Sequence, residues 1–201
     1  MTLEILAVTN RLLCPGGTFL KQIEKIAASG VSAVILREKD LNPEDYKILA
    51  RDVSAICAAG SVKFIVHSHI QTARNLGCSY VHLPWSPDFP SSHSAFTPLH
   101  EKFGVSVHSS QEALYALEQG ASWLIAGHVF PTQSKEGLES RGLDFLSEIC
   151  SLSPVPVYAI GGINEGNISA VGSTGVAGVC LMSSLMEVAD PLLVVDRLKY
   201  C

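Results

Sequence analysis

One histidine of the chain stands where an apolar run gives way to a polar loop. His128 follows the apolar residues 123–126 and opens the segment HVFPTQSK. An imidazole has an unperturbed pKa of about 6.5, so it can accept or donate a proton near neutral pH. We therefore interpret His128 as the best acid/base candidate and His108, which follows another apolar run, as the second. The alternative is a packed histidine that happens to end a strand.

Small residues follow the last two apolar runs of the chain. Gly161 and Gly162 follow one run, and Ser183 and Ser184 follow the other. Glycine lets backbone N–H groups approach an anion closely, and a helix N-terminus favours negative charge. These four residues are therefore predicted to bind a substrate phosphate. A tight turn followed by a helix cap is the structural alternative.

Two basic residues flank an acidic one after the second apolar run. Arg37 and Lys39 could hold a further anionic group, and arginine offers a planar fork of donors for it. Glu38 between them is expected to pair with a neighbour rather than to perform chemistry. The alternative is a solvated cluster of salt bridges.

The other histidines and the cysteines supply no complete metal site. His67 and His69 flank Ser68, so on a strand they would share a face as a possible metal pair, but no third ligand accompanies them. His82 lies inside an apolar run and is expected to be a satisfied core histidine. None of the six cysteines forms a C-x-x-C pair, so free thiols are expected. No metal is predicted.

The elements that must position these residues alternate along the chain. Short β-branched runs are separated by helical stretches, which is typical of βα units. Strands are predicted at residues 5–8, 33–36, 63–66, 80–83, 103–107, 123–126, 157–160 and 178–182. Helices are predicted at residues 18–29, 43–59, 71–76, from 109 or 110, at 143–151, from about 164, and after the eighth strand. The proline-rich residues 84–98 are predicted to form a loop or a loop with a helix.

Eight strands alternating with helices predict a single-domain (β/α)8 TIM barrel over residues 1–201. A doubly wound open sheet is the alternative, and the lack of a G-x-G-x-x-G turn after the first strand weighs against it. Active sites of barrels lie at the carboxyl ends of the strands. The candidate residues all follow predicted strands, so we expect them to meet at that end.

Composition excludes several classes of protein. The chain is 47% hydrophobic and 16% charged, so a sizeable core is available. Its net charge of −5 gives no reason to expect nucleic acid or an anionic membrane as a partner. No apolar run is long enough to span a membrane, and the first residues read as a strand rather than a signal peptide. A cytoplasmic location is therefore expected.

The motifs together resemble the thiamine phosphate synthase/TenI family. The resemblance covers essentially the whole chain and is carried by residues 36–39, 105–109, 127–135, 159–163 and 182–183. It implies a TIM barrel, pairing into homodimers and a thiazole phosphate as small-molecule substrate. One branch of the family joins a thiazole phosphate to a pyrimidine diphosphate, using Mg²⁺ held by aspartates. The other branch, the TenI thiazole tautomerases, moves a proton without a metal.

The chain departs from the synthase pattern at the metal ligands. The third strand of synthases ends in Asn-Asp-Arg, whereas this chain has Ser68 in place of the aspartate. Acidic residues expected after the fourth strand are missing at Ser86 and Pro87, and Asp88 is displaced. Synthases also carry glutamine where this chain has Ile35. Magnesium prefers charged oxygen ligands, so the loss of two carboxylates argues against magnesium chemistry here.

The segment after the sixth strand resembles the tautomerase branch. Synthases usually have proline where this chain has His128, and the Gly-His-Val-Phe segment is similar to TenI. The resemblance therefore predicts a cofactor-free thiazole tautomerase with His128 as acid/base. His67, His108, Thr132 and Lys135 are expected to contact substrate, although Lys135 also matches a synthase lysine. The alternatives are a magnesium-dependent synthase and a non-catalytic phosphate-binding regulatory barrel.

Overall fold

The β-branched runs form parallel strands that close into one barrel. The computed structural model describes residues 3–86 and 102–199, and in it each strand pairs with the next while β8 pairs with β1. The strands are β1 (Glu4–Val8), β2 (Ala33–Leu36), β3 (Lys63–His67), β4 (Tyr80–Leu83), β5 (Lys102–Val107), β6 (Trp123–Gly127), β7 (Val157–Ile160) and β8 (Gly178–Leu181). The predicted (β/α)8 barrel is confirmed, and each strand lies within one residue of its predicted bounds.

Helices connect the strands on the outside of the barrel. They are α1 (Phe19–Ala28), α2 (Pro43–Ala59), α3 (Ile70–Asn75), α4 (Ser110–Glu118), α5 (Gly142–Leu152), α6 (Ile168–Gly172), α7 (Ser183–Met186) and α8 (Pro191–Lys199). The predicted loop at residues 84–98 lies outside the described residues from position 87 onward. The single helix expected after β8 is wrong, because two helices follow it. Pro191 opens the second one, and Asp190 accepts a hydrogen bond from the N–H of Leu192 at 3.1 Å.

Side chains that point into the barrel form a core of their own. This inner core comprises Leu6, Val8, Ala33, Ile35, Ile65, Trp123, Ile125, Tyr158 and Cys180. A Cβ atom on Gly104 would lie 2.0 Å from Nε1 of Trp123, so only glycine leaves room for that indole. The larger hydrophobic cluster lies between the barrel and the helices. The barrel is therefore a packed support for the residues at its carboxyl end rather than a pore.

The cysteines and the lengths of the helices bear on two of the expectations from sequence. The five cysteines in the described residues are free thiols, of which Cys57 and Cys180 are buried and Cys150 is half-buried. Among the helices in residues 3–86 and 102–199, none has both the length and the apolar character needed to cross a bilayer.

Candidate active site

The end of β2 is held by a buried carboxylate. Glu38 is 2% exposed and accepts hydrogen bonds from the hydroxyl of Thr9 at 2.6 Å and from the N–H of Arg11 at 3.0 Å. The guanidinium of Arg11 lies 3.5 Å from the same carboxylate. Glu38 therefore fastens the end of β1 to the end of β2, and the prediction that it pairs with a neighbour is confirmed. The hydroxyl of Thr9 also accepts a hydrogen bond from the N–H of Arg37 at 2.9 Å.

Arg37, Lys39 and Lys135 form a group of neighbouring positive charges, here called the cation cluster. Burial lowers the pKa of the Arg37 guanidinium. Burial also lowers the pKa of Lys39, and the charges of Arg37 and Lys135 lower it further. None of the three side chains forms an ion pair within the described ranges. The charge of Glu38 acts on Arg37 in the opposite direction and raises its pKa. Like charges kept together in this way favour the binding of an anion with more than one charge.

The end of β3 places its two histidines in different surroundings. His67 is buried, and its Nδ1 lies 2.8 Å from the hydroxyl of Ser68. His69 instead stacks on the ring of Tyr46, with ring centroids 3.8 Å apart. The expectation that the two histidines share a strand face is wrong, because β3 ends at His67 and Ser68 takes a positive φ of 65°. They cannot act as a metal pair in this arrangement.

Two neutral histidines lie side by side within the barrel. The rings of His67 and His82 have centroids 5.9 Å apart. Burial lowers the pKa of His67 to about 2, with smaller contributions from His82 and the nearby cations. Burial also lowers the pKa of His82 to about 3. His82 is buried as expected, and its Nε2 lies 2.8 Å from the hydroxyl of Ser106. The expectation that it is fully satisfied is wrong, because its Nδ1 has no hydrogen-bond partner among the described residues.

His108 is held by the helix that follows it. The carboxylate of Glu112 accepts hydrogen bonds from the backbone N–H of His108 at 2.7 Å and lies 3.0 Å from its Nδ1. The hydroxyl of Ser109 in turn accepts from the N–H of Glu112 at 3.2 Å and so caps this helix. A carboxylate beside Nδ1 favours the hydrogen on that nitrogen.

His128 is bound to the loop that follows β6. Its side chain is 7% exposed, and its Nε2 lies 3.3 Å from the carbonyl oxygen of Leu138. The ring lines a cavity of about 530 Å³ together with His108, Lys135 and Arg141. Thr132 begins the short 3-10 turn Gln133–Lys135, and its carbonyl accepts from the N–H of Lys135 at 3.0 Å. The structure thus brings His108, His128 and Lys135 to one cavity.

The glycines after β7 lie directly against the segment after β6. A Cβ atom on Gly161 would lie 2.4 Å from Cβ of His128, and one on Gly162 would lie 2.6 Å from the carbonyl oxygen of Pro131. Both glycines have positive φ angles, of 103° and 68°. Close packing alone therefore requires glycine at these two positions, and phosphate binding there stays a prediction.

Ser183 and Ser184 follow β8 at the same end of the barrel. Both are half-buried in the first turn of α7, and the residue before them, Met182, makes no side-chain cap hydrogen bond. Neither serine acts as the cap proposed as the structural alternative. Their hydroxyls make no hydrogen bond in the described part of the chain, so they are available to a ligand. Their phosphate-binding role also stays a prediction.

The donor atoms at the end of β3 do not fit a magnesium site. Ser68 contributes a neutral hydroxyl where the synthase pattern has a carboxylate, and that hydroxyl is engaged with His67. No group of three histidine, cysteine or acidic residues in the described ranges could hold a metal ion. Asp88 lies outside the described residues. The carboxylates that Mg²⁺ prefers are therefore missing from the described site.

Some functional contacts were missed by sequence reasoning. The hydroxyl of Tyr46 donates to the carbonyl of Leu36 at 2.7 Å and accepts from the N–H of His67 at 3.1 Å, so it joins the ends of β2 and β3. Nothing in the sequence pattern indicated a role for the Tyr46 hydroxyl. Thr9 stood at a predicted strand end, but its bond to Glu38 spans 29 positions and no local pattern indicates it.

Comparison with known proteins finds relatives that align with nearly the whole chain. Thiamine-phosphate synthase of Clostridium tetani is 29% identical over 184 residues, which cover 91% of this chain and 88% of that protein. Thiamine-phosphate synthase 2 of Streptococcus pneumoniae is 33% identical over 189 residues, covering 94% and 90%. The structure of thiamine phosphate pyrophosphorylase from Pyrococcus furiosus matches with a TM-score of 0.85 at 28% identity, covering 98% of this chain and 94% of that one.

These relatives overturn the predicted activity. The thiazole tautomerase prediction is wrong, because relatives at about 30% identity over most of the chain are named as synthases. The prediction rested on His128 and on the missing carboxylates at Ser68, Ser86 and Pro87. In the structure, Nε2 of His128 lies 3.3 Å from the carbonyl oxygen of Leu138 rather than being free. The profile of the thiamine monophosphate synthase family matches residues 5–185, and the chain belongs to that family, the thiamine phosphate synthase/TenI family.

Proposed function

We propose that this chain is a transferase that joins a thiazole phosphate to a pyrimidine diphosphate and releases diphosphate. The observation that carries the proposal is the cation cluster of Arg37, Lys39 and Lys135. Burial lowers the pKa of Lys39, and the neighbouring charges of Arg37 and Lys135 lower it further. A single phosphate monoester needs fewer positive charges than this, whereas a diphosphate matches them. The names of the relatives support the same reaction.

The cation cluster suits the step in which diphosphate departs. As the ring nitrogen of the thiazole bonds to the methylene carbon of the pyrimidine, the bond from that carbon to the diphosphate oxygen breaks, and that oxygen takes the electron pair. Fixed positive charges directed at the oxygen stabilise this developing charge. Half-burial of Arg37 strengthens the effect, because water screens the charge less.

The thiazole phosphate is assigned to the other side of the barrel mouth. Gly161, Gly162, Ser183 and Ser184 end the two strands whose loops bind phosphate in many TIM barrels. The unused hydroxyls of the two serines support this assignment. Binding both substrates in one orientation supplies much of the rate enhancement, because reaction then needs no further collision.

Magnesium is implied by the family, but the described residues do not offer its usual carboxylate ligands. The proposed roles are therefore confined to side chains of this chain, and no step involves a metal. Positioning of the substrates and stabilisation of the leaving diphosphate are the contributions we assign to the protein.

A direct assay tests the proposal. Purified protein is incubated with a thiazole phosphate and a pyrimidine diphosphate, and product and free diphosphate are measured by mass spectrometry and a diphosphate assay. Equal release of coupled product and diphosphate is expected. Lys39→Met should slow the reaction at least tenfold, whereas Lys102→Met, at the opposite end of the barrel, should not. Binding of both compounds without turnover would instead favour the non-catalytic phosphate-binding barrel.

A further inference from the structure

The loop that carries Lys135 has little packing of its own. Residues 133–139 are all exposed, and the side chain of Leu138 is 60% exposed. No apolar burial therefore fixes this stretch of chain on the barrel. Lys135 nevertheless lines one cavity together with His128 and Leu138. It also lies near Lys39, whose pKa is lowered by burial, by the charge of Arg37 and by that of Lys135.

Backbone hydrogen bonds fasten both ends of this loop. On one side, the N–H of Val129 donates to the carbonyl of Ile160 at 2.9 Å, and the N–H of Phe130 donates to that of Gly161 at 3.0 Å. On the other side, the N–H of Arg141 donates to the carbonyl of His128 at 3.0 Å. The middle of the loop, where Lys135 lies, is not reached by these bonds.

The imidazole of His128 holds the middle of the loop. Its Nε2 lies 3.3 Å from the carbonyl oxygen of Leu138, and the N–H of Leu138 donates to the carbonyl of Lys135 at 3.1 Å. Two successive hydrogen bonds thus connect the His128 ring to the backbone of Lys135. In residues 3–86 and 102–199, no other side chain makes a hydrogen bond to residues 133–140.

The position of His128 itself is fixed by the barrel. Gly161 packs so closely on His128 that a Cβ atom there would lie 2.4 Å from its Cβ. A carbonyl oxygen can only accept a hydrogen bond, so Nε2 must carry a hydrogen whether the ring is neutral or charged. Nε2 is therefore committed to the loop and is not a free proton acceptor.

We propose that His128 is a positioning residue that holds Lys135 in the cation cluster, rather than an acid or base. The proposal rests on the proposed function, in which the cluster binds a diphosphate. The positioning role makes no use of proton transfer, so a side chain that donates one hydrogen bond from the same place should replace the imidazole. Glutamine meets that condition, because its Nε2 amide reaches about as far as Nε2 of histidine.

Two variants and two measurements test the proposal. His128→Ala removes the hydrogen bond, and His128→Gln keeps a donor without a titrating ring. Inorganic diphosphate binding is measured by calorimetry, and cleavage after Lys135 by limited trypsin digestion with peptide mapping. His128→Ala should weaken diphosphate binding about three- to tenfold, the value of one neutral hydrogen bond. It should also speed cleavage after Lys135, whereas His128→Gln should resemble the wild type in both measurements.

The possible outcomes distinguish the positioning role of His128 from the proposed transferase activity. If the wild type binds no diphosphate, the proposed function fails, while faster cleavage of His128→Ala alone would still support the role in holding the loop. If the wild type binds diphosphate and His128→Ala matches it in affinity and cleavage, the positioning role is overturned. An acid/base role would instead lower kcat equally in both variants and remove one limb of the pH–rate profile, with no rescue by glutamine.

Discussion

Replacing Thr9 by valine would remove one hydroxyl that joins the ends of β1 and β2. The side chain is fully buried, donates to Glu38 at 2.6 Å and accepts from the N–H of Arg37 at 2.9 Å. Valine has nearly the same shape, so the change deletes hydrogen bonds without opening a large cavity. The substitution therefore measures the polar contacts alone.

The magnitude follows from the two lost contacts. A hydrogen bond to a charged carboxylate contributes about 1.5–3 kcal/mol, and a buried N–H left without a partner costs about 1–3 kcal/mol. Thr9→Val is therefore expected to lower the free energy of unfolding by about 3–5 kcal/mol. For a chain of this size that corresponds to a fall in Tm of about 10 °C. Diphosphate binding should weaken as well, because the N–H of Arg37 loses its anchor.

Urea unfolding followed by circular dichroism measures this change, with Thr9→Ser as the matched control. Serine keeps the hydroxyl and should restore most of the stability. The reasoning is refuted if Thr9→Val unfolds within about 1 kcal/mol of the wild type, since the two contributions together amount to at least about 2.5 kcal/mol. It is equally refuted if the serine variant is as unstable as the valine variant.

Three further predictions concern charge and metal at the site. Lys39→Met should raise the Kd for inorganic diphosphate about tenfold, measured by calorimetry, because one of three clustered cations is lost. Burial lowers the pKa of His67 to about 2 and that of His82 to about 3 in the folded chain, whereas the pKa of either is about 6.5 in the unfolded chain. At a pH between the folded and the unfolded pKa, only the unfolded chain therefore binds these protons. The free energy of unfolding should thus be at its full value above pH 7 and fall by about 2 kcal/mol per histidine by pH 5. Urea titrations at the two pH values measure this loss, and His82→Gln should halve it. Ser68→Asp should create binding of Mn²⁺, detected by electron paramagnetic resonance, whereas wild-type binding of the ion should be much weaker; equal binding would contradict the mismatch at this position.

The barrel was predictable because it depends on patterns repeated along the chain. The strands at residues 33–36 and 157–160 combine β-branched residues with clear stops on both sides, so their bounds needed no tertiary information. The parallel barrel then determined which ends of the strands meet. For that reason the candidate residues at the carboxyl ends were correctly brought to one side of the molecule.

The contacts made by individual side chains were less predictable. His67 and His69 were expected on one face because a strand alternates with period two, but the strand stops at His67 and Ser68 turns the backbone. Likewise, His128 was expected at the end of a strand, but nothing local indicates that the carbonyl oxygen of Leu138, ten positions later, lies within hydrogen-bonding distance of its ring. Both contacts concern the path of the chain just beyond a strand, where hydrogen bonds between distant residues decide the geometry.

The contact between the segment after β6 and the glycines after β7 has a consequence for substrate size. Gly161 and Gly162 lie against residues 128–131, and the same stretch leads into the loop that carries Lys135. The proposed phosphate site and one cation of the proposed diphosphate site therefore lie on adjoining segments of backbone, joined through residues 128–131. The distance between these two anion-binding positions therefore limits which substrates can react. A pair of substrates can react only if their two anionic groups span that distance when the rings are in contact.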